Sequence, residues 1–131
     1  MTLQRLGKPP VLKDGTVVPL SPAVRAGQHI YLSGVLPFRP DGSLAEDDVA
    51  AQTHQCFANM ARVLEMAGAG LEDIAKVTVW LVRKEDFPAF NAAYAENVGD
   101  QPPARSTVCA ALMVPDALVE IEAIAIAPAD A

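Results

Sequence analysis

The chain is poor in the residues from which metal, redox and nucleophilic sites are usually built. It has two cysteines and two histidines in 131 residues. Cys56 falls in a helical stretch and Cys109 in a strand-like one, so they offer neither a disulfide framework nor the paired spacing of a zinc site. They read as free buried thiols of a reducing compartment. His29 and His54 have no Cys, Asp or second His at ligand spacing, so no metal is expected. Basic residues are also few: ten Lys and Arg against sixteen Asp and Glu, for a net charge of -6. They are scattered from Arg5 to Arg105, with no run longer than Arg83-Lys84. An acidic surface without a basic stripe repels a phosphate backbone, so no nucleic-acid partner is expected. No apolar run is long enough to span a bilayer. The first residues, MTLQRLGKPP, lack the continuous apolar segment of a signal peptide. No membrane association is expected, and a cytoplasmic location is. Phosphate loops are missing too, because Gly68-Ala69-Gly70 follows a helix rather than opening one. There is no internal repeat and no low-complexity segment.

What is present is apolar material. Hydrophobic residues make up 51% of the chain, enough for one packed core, and a single domain over residues 1–131 is expected. A chain this short still leaves much apolar surface in water, which association would hide. The hydrophobic pattern resolves into elements. Asp14-Gly15 marks a turn between two short edge strands at Val11-Leu12 and Val17-Val18. A third strand runs from His29 to Leu32 and ends at Ser33-Gly34. Val49, Thr53, Cys56, Phe57, Met60, Val63, Leu64 and Ala67 recur at helical spacing. Asp47 or Asp48 caps that helix, and Gly68 and Gly70 end it. Residues 74–82, IAKVTVWLV, form a β-branched run suited to a central strand. Its alternation sends Val77, Val79 and Leu81 one way, and Ile74, Trp80 and Val82 the other. A second helix starts near Asp86, carries Phe87, Phe90, Tyr94 and Val98 as its stripe, and stops at Gly99. Strands at 105–112 and 118–126 close the domain. The order β-β-β-α-β-α-β-β predicts an α+β fold, with two helices on one face of a single mixed sheet. The other face lacks cover, which points to closed self-association.

Chemistry concentrates between Gln101 and Ile126. Arg105, Thr107 and Cys109 share a strand face, and so do Glu120, Glu122, Ile124 and Ile126. A glutamate inside so apolar a strand needs a partner. An arginine fork can grip a carboxylate, and a glutamate in low dielectric can exchange protons near neutral pH. From the residues alone, an ion pair between Arg105 and a glutamate on a neighbouring strand is the commoner outcome. Ser33-Gly34 offers a hydroxyl and a reachable N–H, or simply a turn that needs glycine for backbone reasons. Tyr94 lies in the apolar stripe and reads as core.

Several separated segments resemble one family. Pro103-Ala104-Arg105-Ser106-Thr107-Val108 and Leu118-Val119-Glu120-Ile121-Glu122-Ala123-Ile124-Ala125 are similar to the C-terminal signature of the reactive intermediate deaminases, the Rid or YjgF-type family. Ser21-Pro22-Ala23-Val24-Arg25-Ala26-Gly27, Ile30-Tyr31-Leu32-Ser33-Gly34, Gln52-Thr53 with Asn59, and Phe90-Asn91 with Tyr94 match in the same order. The resemblance implies a chorismate-mutase-like fold and a homotrimer, with three sheets forming a central β-barrel and a cleft at each subunit boundary. It implies hydrolysis of enamines or imines to 2-keto acids and ammonia, with no cofactor. By position, it implies that Arg105 binds the substrate carboxylate and Glu120 attends the attacking water. Ser33, Gly34, Asn91 and Thr107 would line the cleft around a small imino or keto acid. Two positions depart from the best-known deaminase subgroup: Leu20 stands in place of Tyr, and Val35 in place of Gln. Both exchange polar groups near the expected cleft for aliphatic ones. They point to a larger or more apolar imino acid, or to a non-catalytic keto-acid or amino-acid binding module. Ribonuclease activity, also credited to the family, sits poorly with the charge.

Overall fold

A computed structural model describes residues 2–129. One six-stranded sheet carries both helices. Its strands are β1 (Leu3–Leu6), β2 (Ala23–Ala26), β3 (His29–Leu32), β4 (Ile74–Leu81), β5 (Ala104–Cys109) and β6 (Val119–Ile126), in the spatial order β1-β2-β3-β6-β4-β5. All neighbours are antiparallel except β4 and β5, which run parallel through a helical crossover. The α+β class and the single mixed sheet hold. The first two strands do not lie where the turn signals placed them. Val11 and Val17 meet only in an isolated bridge, while the sheet recruits Leu3–Leu6 and Ala23–Ala26. The tight hairpin between β2 and β3 explains this. Gly27 takes φ +63 in the turn, bringing Ala26 opposite His29, and the paired β2 then offers its free edge to β1.

Helix α1 (Val49–Met66) starts at Asp48, whose carboxylate accepts the Ala51 N–H at 2.8 Å. It buries Val49, Thr53, Cys56, Phe57, Met60 and Leu64 as its period requires. Gln52 is also fully buried. Its Oε1 accepts the Leu118 N–H at 2.7 Å, and its amide donates to the carbonyls of Glu46 and Asp116 at 3.2 Å each. That amide holds the turn that feeds β6. Helix α2 (Phe87–Val98) carries Pro88 in its first turn, where no intrahelical donor is lost, and ends at Gly99 with φ +64.

The core lies between the helices and one sheet face, where Val77, Val79 and Leu81 of β4 meet Val119, Ile121, Ala123 and Ala125 of β6. Ile74 joins this core at 9% exposure rather than pointing away with Trp80. A register shift between Ile74 and Lys76 breaks the simple alternation there. The opposite face carries Lys76, Thr78, Trp80, Glu120, Glu122 and Ile124, all half-buried, with no element packed over them among the described residues. No described helix is long and apolar enough to cross a membrane.

Candidate active site

Arg105 sits in register with Val77 on the edge strand β5, so its side chain rises on the helix side of the sheet. There it lies over the rings of α2, with its guanidinium carbon 4.7 Å from the Tyr94 centroid, 5.4 Å from Phe90 and 5.8 Å from Phe87. Ring faces attract a cation at these distances but accept none of its strong hydrogen bonds. Among the described residues the guanidinium has no ion pair and no hydrogen bond. The cross-strand ion pair that the residues suggested is absent, for a geometric reason. Glu120 stands opposite Trp80, and Glu122 opposite Thr78, on the other sheet face. By strand spacing and rise, Arg105 and Glu120 are roughly 14 Å apart along the sheet surface. The sheet itself separates their side chains.

Around Arg105 the helix side gathers further polar atoms. Thr107 follows on the same face, in register with Val79. Tyr94 lies under the guanidinium on α2, with Asn91 one turn before it on the same helix, and Asn91 Oδ1 and the Tyr94 hydroxyl are both buried without a hydrogen-bond partner. The Tyr94 ring is core, as its place in the apolar stripe predicts, but its hydroxyl is not accounted for by the core. Burial raises the Tyr94 phenol above its ordinary value, and the Arg105 charge pulls it partly back. Phe87 and Thr107 also border a cavity of about 370 Å³ with Leu81, Lys84, Val108 and Cys109. Cys109 is exposed, not buried, and its thiol donates to the Val82 carbonyl at 3.5 Å.

The second cluster lies on the bare face. Between the Tyr31–Ile124 and Val35–Ile121 pairs, the β3 side spends one more residue than β6. This bulge at Ser33-Gly34 sets Gly34 against the Glu120 carboxylate, which fills the space a Cβ would need. A side chain at position 34 would therefore displace the Glu120 carboxylate from this place. The Ser33 hydroxyl donates to the Ser21 carbonyl at 2.6 Å, and its N–H to Pro22 at 3.0 Å. Glu120 borders a cavity of about 250 Å³ with Trp80 and residues 110–113. Burial, and then the charge of Glu122, raises its carboxyl above the ordinary 4.5. The acid form is therefore favoured in the fold: the destabilisation is absent well below pH 4.5, grows as pH rises from there to the raised value, and is complete above it. Glu120→Gln should accordingly melt higher than wild type at neutral pH and equal to it at pH 4, which thermal denaturation at the two pH values checks.

The six expected residues thus form two half-sites: Arg105, Thr107 and Asn91 on the helix side, and Ser33, Gly34 and Glu120 on the bare side. Val35 is bonded to Ile121 in both directions and packs on the core, and Leu20 is exposed on the arm before Ser21. A larger groove of about 480 Å³ at the end of α2, with Phe57, Ile74 and Val98 in its wall, holds none of the expected residues. Its Glu72 and Asp100 would repel a carboxylate. His54 serves as an exposed staple between helices, 3.3 Å from Glu96.

A sequence model of the family described as Endoribonuclease L-PSP matches residues 13–127. The chain belongs to the Rid/YjgF family. Among its relatives, the 3-aminoacrylate deaminase RutC of Acinetobacter baylyi is 36% identical over 119 residues, covering 88% of this chain and 94% of that protein. Reactive Intermediate Deaminase A, chloroplastic, of Arabidopsis thaliana is 37% identical over 108 residues, covering 82% of this chain and 58% of its own longer one. The crystal structure of yeast Mmf1 superposes with a TM-score of 0.86 at 29% identity, covering 97% of this chain and all of that one. This Rid/YjgF chain therefore has relatives named as deaminases within a family whose description names a ribonuclease.

Proposed function

We propose that this protein is an enamine/imine deaminase that converts 2-aminoacrylate-type imino acids to 2-keto acids and ammonia. The observation that carries the reading is the Arg105 guanidinium, held over three rings and bonded to no acceptor among the described residues. A half-buried fork without a partner suits a planar carboxylate, which it can take with two parallel hydrogen bonds. Glu120 is the second part. Because it lies on the opposite face, we propose that another copy of the chain brings its Glu120 to Arg105. Covering the bare face in a closed trimer, the three sheets forming a chorismate-mutase-like barrel, would do this.

In the proposed reaction an enamine tautomerises to an imine beside its carboxylate. Arg105 holds that carboxylate and fixes the imine carbon. Glu120, whose carboxyl burial and the Glu122 charge hold above its ordinary value, gives its proton to the imine nitrogen. Water then attacks the carbon and gives a proton to the Glu120 carboxylate. The carbinolamine takes that proton on nitrogen and expels ammonia while its hydroxyl returns a proton to the Glu120 carboxylate, which leaves the keto acid and restores the acid form of Glu120. Every atom of the water is accounted for, and the scheme uses no cofactor.

The test is to generate 2-aminoacrylate in situ and follow pyruvate and ammonia with and without the protein. Faster release than in buffer supports the deaminase. Saturable pyruvate binding without acceleration would make the protein a binding module instead. RNA cleavage that co-purifies with the protein through further steps would favour the activity named in the family's description.

A further inference from the structure

Two buried oxygen atoms on α2, the helix whose rings lie under Arg105, have nothing to bond. Tyr94 is 5% exposed, its ring packs edge-on to Phe57 and tilted against Phe90, each at 5.5 Å, and its hydroxyl has no partner. One helical turn earlier Asn91 Oδ1 is in the same condition. Buried polar groups are nearly always paired, so an orphan needs a reason. The core supplies none, since a phenylalanine would fill the same packing without the lost hydration of a hydroxyl. For Tyr94 the missing donor is close by. A guanidinium carries five N–H donors, of which a carboxylate in the fork takes two. Three are left over, and Arg105 lies with its carbon 4.7 Å from the Tyr94 ring centre.

We propose that Tyr94 is a positioning residue for Arg105: when the guanidinium takes a carboxylate in its fork, a remaining N–H turns onto the Tyr94 hydroxyl oxygen, with Asn91 Oδ1 as a second acceptor. Without ligand the guanidinium rests on the ring faces and the two oxygens stay unpaired. Ligand binding then repairs three deficits together, and the stacked rings set the direction in which the fork turns. The inference rests on the reading of Arg105 as the carboxylate holder.

The test compares wild type, Tyr94→Phe and Arg105→Ala by calorimetric titration with pyruvate and by thermal melting without ligand. Tyr94→Phe keeps the ring and removes only the oxygen. It should weaken pyruvate binding about tenfold to a hundredfold, the loss of one hydrogen bond to a charged group. Its unliganded midpoint should equal or exceed that of wild type, because an unsatisfied buried hydroxyl has been removed. In turnover the loss should appear in KM, with kcat within about twofold. Wild-type affinity in Tyr94→Phe, with binding lost in Arg105→Ala, would overturn this inference alone. A lowered midpoint would overturn it too, since the hydroxyl would then have a structural partner. Wild type and Arg105→Ala failing alike to bind pyruvate would overturn the reading of Arg105 and this inference with it.

Discussion

Arg105→Ala should lower kcat/KM for 2-aminoacrylate by about 10²- to 10⁴-fold, the equivalent of losing two charge-assisted hydrogen bonds of about 1.5–3 kcal/mol each. The expected stability change is much smaller. What Arg105 contributes to the fold is its stacking on α2, and contacts of that kind are worth about 0.5–2 kcal/mol. Activity and melting should therefore separate cleanly in this variant. Arg105→Lys sharpens the test, because it keeps the charge and loses the planar fork. A recovery of only part of the lost rate would show that bidentate geometry matters beyond charge. Steady-state rates corrected for hydrolysis in buffer, beside a denaturation curve, check both statements.

Glu120→Gln should reduce kcat by about 10²- to 10⁴-fold, the usual contribution of a positioned acid–base group, with KM little changed because Arg105 still holds the carboxylate. The pH profile gives the sharper signature. Glu120 is raised by burial and by Glu122, so its acid form persists to higher pH than in a free glutamate. Wild-type kcat should fall as pH rises through that raised value, and the fall should be missing in Glu120→Gln. The same substitution removes a charge that disfavours the fold at neutral pH, so the variant should be more stable while nearly inactive. A side chain retained at a cost in stability is expected where it serves the reaction.

Helix α1 is plain in the sequence, because its period, its Asp48 cap and Gly68 agree with one another. So are α2, between Pro88 and Gly99, and the alternation of β6. The strands Leu3–Leu6 and Ala23–Ala26 are hidden for a physical reason. LQRL carries no β-branched residue, and its strand conformation comes from pairing with β2, which in turn depends on the Gly27 hairpin. Bulges defeat face assignment in the same way: Ile74 reaches the core and Gly34 meets Glu120 through extra residues that alternation does not register. Arg105, Thr107 and Glu120 can be found by their chemistry and by resemblance. That Arg105 and Glu120 stand on opposite faces cannot, since it follows from which residues of β4 each faces, namely Val77 and Trp80. The orphaned Tyr94 hydroxyl is equally invisible, because a tyrosine in an apolar stripe looks the same whether or not its oxygen finds a partner.

The most direct measurement is to unfold Arg105→Ala and Glu120→Gln together in equal amounts, refold them as a mixture, and assay the product beside each variant refolded alone. If one copy lends Arg105 and another Glu120, roughly a quarter of the clefts in a random mixture regain both intact groups, and a comparable share of wild-type activity returns. If the mixture stays as inactive as its parents although mixed oligomers have formed, the two groups do not meet across a subunit boundary, and the proposed active site is wrong.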